Sequence, residues 1–265
     1  MRQTLFYILY FSVFSTFNSF SQEINVEYRF SNNNKANPAI SLNRIYLLKL
    51  AKNRSICEIV AQNTIHQVPD IKVEEKEEIV RKKLSDDYSI ISSKNKVMFY
   101  KDYLSDSLIY STLILTKNVL VKEKLTMFDW EILPTDTTYM DNSCKMAKTN
   151  HRGHVWTVFF TDKFGFQGGP WKLDGLPGLI LFAITEDSEF VFEASKIEVK
   201  NNNSSIINPF VGQKTITWTE YTSTLKEKML LRVKKLNSMN ENGEKDTVIK
   251  LGNSIEDLGF KEIRQ

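Results

Sequence analysis

The sequence predicts an α+β protein, mainly β: a curved antiparallel sheet, half-barrel-like, with one or two packed helices. Three observations lead there. Short apolar–polar alternations recur along the chain with polar turns between them. Two longer stretches carry apolar residues at helical spacing instead. Composition, at 42% hydrophobic and 12% aromatic, supplies enough apolar surface for a substantial core.

Taken in order, Arg2, the apolar stretch Leu5 to Phe14 and the small-residue pattern Ser19-Phe20-Ser21 before Gln22 predict a signal peptide over residues 1–21. Ser12, Ser15, Thr16 and Asn18 interrupt that apolar run, well short of the ~20 apolar residues a membrane-spanning helix needs. The chain is therefore expected not to span a membrane after signal removal. Residues 22–236 read as a single β-rich domain and 237–265 as a loose polar tail. Ile24 to Phe30 alternates strictly, and Arg44 to Leu50 and Ser55 to Ala61 follow as a hairpin around "AKNRS". "KVMFYKD" and "SLIYSTLIL" repeat the pattern. "FDWEIL", "DTTYMDNSCKMAKTN" and "GHVWTVFFT" predict neighbouring strands, with Trp156, Val158 and Phe160 on one face. Leu179 to Ile184 and Glu189 to Val199, joined by "TEDS", form the clearest hairpin. Val73 to Leu84 predicts one helix, acids first and bases last. Thr217 to Leu236 predicts the other, with Thr217 and Glu220 as a capping box and Tyr221, Leu225, Met229, Val233 and Leu236 as the apolar stripe.

The formal charge of +3 falls to +2 when Arg2 leaves with the signal. Acids and bases are interspersed, so no nucleic-acid footprint is present. No cofactor is implied. A phosphate loop is excluded, since no GKS or GKT and no following helix accompany the glycines.

Those glycines stand in "GGPWKLDGLPGLILF", where Gly169, Pro170, Trp171, Gly175, Leu176, Pro177 and Gly178 precede an unbroken apolar run. Proline removes an amide donor and glycine permits close backbone approach, so a rigid, tightly packed loop should feed a buried strand. Asp174 is expected to bond backbone amides of the turn. Together with "MFDW", "CKMA" and "RGHVWTVFF", this stretch resembles the GLPGLI family of exported bacterial proteins over at least Met127 to Ile184. His154 departs from the family pattern, which carries arginine there. The resemblance implies export to a Gram-negative periplasm or outer-membrane periphery and a β-rich domain, often encoded beside outer-membrane transporters.

Several residue groups could carry chemistry. Cys144, His151 and His154, with Met140 and Met146 nearby, offer soft sulfur and imidazole ligands for Cu(I) or Zn, against a reading as packed thiol and solvated turn. Cys57 and Cys144 are the two cysteines and could pair in an oxidising compartment. Cys144 with His151 as base lacks an orienting third residue. Trp130, Trp156 and Phe160, with Arg152 as salt-bridge partner or anion contact, either fill a core or line a concave face. Such a face would hold a lipid, an apolar ligand or a lipid-modified peptide, with the glycine-proline loop as its rigid rim. The expectation is a non-enzymatic envelope protein of this kind. The alternatives are an accessory partner of an outer-membrane, TonB-dependent transporter, and a metal-binding or thiol-dependent protein.

Overall fold

The alternating segments pair into one sheet. The computed structural model describes residues 22–33, 40–66, 89–90, 97–201, 205–239, 249–250, 254–260 and 262–263. The signal segment and the expected helix at 73–84 lie outside the described residues. The strands are β1 (Gln22–Asn33), β2 (Ile40–Ala51), β3 (Arg54–His66), β4 (Ser89–Ile90), β5 (Met98–Asp102), β6 (Ser107–Ile114) and β7 (Lys117–Glu123). After a 3-10 turn at Leu125–Met127 come β8 (Glu131–Tyr139), β9 (Asn142–His151), β10 (His154–Thr161), β11 (Leu179–Thr185) and β12 (Phe190–Asn201). The two-residue β13 (Thr215–Ile216) precedes helix α1 (Trp218–Met239), and β14 (Ile249–Lys250) pairs with β15 (Glu262–Ile263) apart from the main sheet.

The main sheet runs β13-β7-β6-β5-β3-β2-β1-β12-β11-β10-β9-β8, with β4 added to β3. It is two antiparallel meanders joined where β1 pairs with β12. Only the β13–β7 contact is parallel among the described strands. Loop length explains the curvature. Ten inter-strand steps separate β7 from β8, about 48 Å if flat at ~4.8 Å per step. Glu123 and Glu131, which end one strand and begin the other, can be at most about 29 Å apart along the chain. The sheet must curl until its two ends approach, although it does not close. Register irregularities at Glu27/Tyr28, Ile45/Tyr46 and Phe159/Phe160 assist, because bulges bend and twist a strand.

The inner face is the core. Ile24, Val26, Tyr28 and Phe30 of β1 are all buried, as the alternation predicts, and face inward beside Tyr46, Leu48, Phe99, Trp156, Val158, Phe160 and Phe192. Helix α1 starts as predicted: Glu220 N–H donates to Thr217 Oγ1 (3.2 Å) and Thr217 N–H to Glu220 Oε2 (2.7 Å). Tyr221, Leu225 and Val233 are buried, and the helix contacts β6, β7 and β15. Leu236, expected in the same stripe, is exposed. No helix among the described residues is long and apolar enough to cross a membrane.

Part of the stretch read as a loose polar tail is ordered against the sheet. Residues 254–260 dock, with Glu256 buried and Ile255, Leu258 and Phe260 packed against the core. Polar composition misled here because the segment is held by ion pairs and backbone hydrogen bonds as well as by apolar contact.

Candidate functional site

The chain leaves β10 over the surface through residues 162–167, and residues 168–178 return to β11 through the hollow of the curled sheet. Trp171, Leu173 and Leu176 are buried, and Trp171 lies against Trp156 (5.9 Å between ring centroids) and Phe192 (6.3 Å). The glycine-proline loop is therefore a plug that fills most of the concave face. Only Gly175 and Pro177 of its motif are exposed, while Gly169, Pro170 and Gly178 are buried; on the outer side Pro177, with Phe164 and Phe166, edges an open cavity of about 780 Å³ that Leu50 and Tyr103 also line. Gly178 shows why the sequence is so restricted. A Cβ there would stand 2.6 Å from the Thr161 carbonyl oxygen. Gly178→Ala should cost about 1–3 kcal/mol through overpacking, visible as a lowered midpoint in thermal unfolding; an unchanged midpoint would show the loop is not tightly seated.

Two buried lysines fix the plug. Lys101 of β5 is wholly buried and donates to the carbonyls of Gly169 (3.0 Å) and Leu173 (2.8 Å) and to Asp174 Oδ2 (2.9 Å). Asp174 also accepts from Tyr103 and, through Oδ1, from the Gly175 amide (2.8 Å), the turn bond expected of it. Trp130 Nε1 donates to the Asp174 carbonyl at 2.7 Å. All three donors of the Lys101 ammonium thus have acceptors, which is what a charge so deeply buried requires.

Lys172 points the other way. Its Nζ lies 2.8 Å from Glu123 Oε1, 2.6 Å from Glu256 Oε2 and 2.7 Å from the Tyr110 hydroxyl. Arg152 bonds the remaining oxygens, Glu123 Oε2 and Glu256 Oε1. The result is a closed ring of two cations and two carboxylates. It ties the end of β7, the β9–β10 turn, the plug and the docked C-terminal segment together. The Trp218 ring stands under both cations, with the Arg152 guanidinium carbon 3.8 Å and Lys172 Nζ 4.6 Å from its centroid. Burial raises the Glu123 pKa, but hydrogen bonds and charge from Arg152 and Lys172 overcome it and hold it down at about 2. Tyr110 goes up, through burial first and then the two glutamates, and remains a phenol that donates to Glu123 Oε1 (2.9 Å).

The histidines weighed as metal ligands hold the C-terminal segment or pack. His154 Nε2 meets the Ser254 carbonyl at 3.0 Å, and the Asp257 amide donates to the Arg152 carbonyl at 2.7 Å. Gly153 leaves room for this, since a Cβ there would come within 2.8 Å of Asp257 Cβ. His151 packs on Phe128 (4.4 Å), and burial, then the Arg152 charge, lowers its pKa. Cys144, at the other end of β9, hydrogen-bonds the Asn142 carbonyl. Among the described residues no three His, Cys, Asp or Glu side chains gather around a metal-sized space. These residues are close in sequence, but Cys144 stands near the start of β9 and His151 at its end, seven residues of extended strand apart.

The candidate disulfide between Cys57 and Cys144 does not form. Cys57 and Cys144 are free and buried, and five strands stand between β3 and β9 in the sheet. Burial pushes the Cys57 thiol up to about 11, and burial raises Cys144 also. Thiols of this kind are poor nucleophiles and metal ligands. Ellman's reagent should find almost no reactive thiol in the native protein and two after denaturation; rapid native reaction would refute this burial.

Of the expected ligand-contacting aromatics, Trp156 and Phe160 are core residues and Trp130 is tied to the plug. Trp156 Nε1 has no hydrogen-bond partner among the described residues. None of these three residues lines the larger open cavity, and a smaller, aromatic-walled one lies on the inner side of the plug. About 270 Å³ remains between the plug, the start of α1 and residues 254–258, walled by Phe30, Arg44, Tyr46, Phe99, Tyr110, Trp171, Lys172, Trp218 and Glu256. Sequence reasoning missed Arg44, Lys101, Glu123, Lys172 and Glu256. Lys101 left one signal: it shares a strand face with Phe99, where alternation calls for an apolar residue.

No known protein-family profile matches the chain, and no curated protein is significantly similar to it. Similar solved structures include those of PNGF-II in space groups C2 and P21. Each is 12% identical over 88% of this chain, with TM-scores of 0.46 and 0.48. This chain spans 35% of the length of those structures. A likeness so distant carries no functional argument.

Proposed function

We propose that this chain is a non-enzymatic envelope protein of the GLPGLI family that binds a small apolar or amphipathic ligand in the cavity left beside the plug. The observation that carries the reading is the cavity's construction. Aromatic walls from β1, β2, β5 and β6 meet a few convergent polar groups, the pattern of small-molecule sites. Its ~270 Å³ lies near the lower end of such sites, about 300 Å³. That favours a compact ligand over a full lipid or an acylated peptide. The half-barrel outline suits this role, since beside the plug the start of α1 and residues 254–258 shelter the part of the inner face that remains. Envelope location rests on the N-terminal signal pattern and on the motif resemblance.

Native mass spectrometry of the full chain, expressed with its signal and purified from a Gram-negative envelope without detergent, tests the reading. A copurified mass of small-molecule size is the expected result. A bare monomer that also takes up no apolar probe in solution would overturn it, and a protein-sized addition would favour the transporter-partner alternative.

A further inference from the structure

The cavity's charges are unevenly balanced. Lys172 and Arg152 are matched by Glu123 and Glu256 within the closed ring. That leaves Arg44 as the additional cation in the wall, and among the described residues no carboxylate other than Glu256 lines the cavity. Arg44 lies on β2 opposite Phe30 and two residues from Tyr46, so its head emerges among aromatic rings. Its Nε is buried and has no hydrogen-bond partner among the described residues. Arg44 lowers the Tyr46 pKa somewhat, yet burial dominates and raises it to about 12. Tyr46 therefore remains a neutral phenol and offers no compensating anion. A guanidinium beside an apolar hollow, with a donor unused, is complementary to a planar anion attached to an apolar body.

We infer that the ligand of this cavity is a small monoanionic amphipath, a carboxylate or similar oxyanion on a short aliphatic or aromatic body, with its anionic end at Arg44. The inference rests on the proposed ligand-binding role and adds the chemical class. The apolar body lies along Phe30, Tyr46 and Phe99, while the balanced ring at Lys172 gives the far wall without drawing the anion away.

Isothermal titration calorimetry of the full chain with decanoate and with 1-decanol tests it, because the two differ only in the head group. Decanoate is expected to bind at least tenfold tighter than decanol. Arg44→Met should remove that preference, with decanoate and decanol then binding within about twofold of each other, and an unchanged far-ultraviolet circular dichroism spectrum shows that the variant is folded. Arg44→Lys should retain part of the preference. Equal binding of the two probes by the unmodified protein would overturn the anionic class and leave the apolar cavity standing, as would a preference undiminished in a folded Arg44→Met. Failure of both probes to bind would overturn the cavity reading itself, and this inference with it.

Discussion

Asp174→Asn should destabilise the folded protein by about 3–5 kcal/mol, because it strips the charge partner from a lysine that has no route to water. The Lys101 ammonium is 2.9 Å from Asp174 Oδ2 and wholly buried. Two carbonyls would remain as acceptors, but neither carries a compensating charge. Equilibrium urea unfolding should show the loss as a shifted midpoint. Lys101→Met combined with Asp174→Asn should recover part of it, since removing both members of a buried pair costs less than orphaning one. If the double variant were as unstable as the sum of the singles, the two groups would not be coupled and the plug would be held by its apolar residues alone.

Lys172→Met is the second large effect, again about 3–5 kcal/mol. It would leave Glu123 and Glu256 sharing one buried neighbourhood with Arg152 as their sole cation. The same ring sets a pH dependence. The folded-state pKa of Glu123 is about 2, below its ordinary 4.5. Its stabilising contribution is therefore complete above about pH 4.5 and is lost progressively as pH falls toward 2. Thermal midpoints measured between pH 6 and 3 should fall most steeply below pH 4.5 in the parent protein. In Lys172→Met the slope should be shallower, because Glu123 then has less depression of its pKa to lose. Parallel profiles would mean that Lys172 does not govern this titration.

The strands were largely legible because alternation is a local property. Ile24 to Phe30, Trp156 to Phe160 and the turn between β11 and β12 could be read from a few residues each, and so could the Thr217–Glu220 cap. Alternation says which way a side chain faces, but not which strand lies beside it. Nothing local announces that β1 pairs with β12. The site was harder still: Arg152 and its partners lie 29 and 104 residues apart, and each is an ordinary charged residue in its own segment. Arg152 could be anticipated as a salt-bridge partner, whereas Glu256 was hidden inside a polar stretch. Trp156 and Phe160 were singled out for their size, and that size is what commits them to the core.

The place of β1 has a further consequence for how the molecule comes into being. The first described strand is the keystone between the two meanders, and its partner on one side is completed only at Asn201. A growing polypeptide shorter than about 200 residues can build one meander on β1 but cannot join the other to it. Assembly of the whole sheet must await the late arrival of a partner distant in sequence, which places the protein among the slow, high-contact-order folders, on the scale of ~milliseconds to seconds. Until then the edge of β1 that β12 will cover stays unpaired, so the first half of the sheet carries an open edge while the second half is still being made.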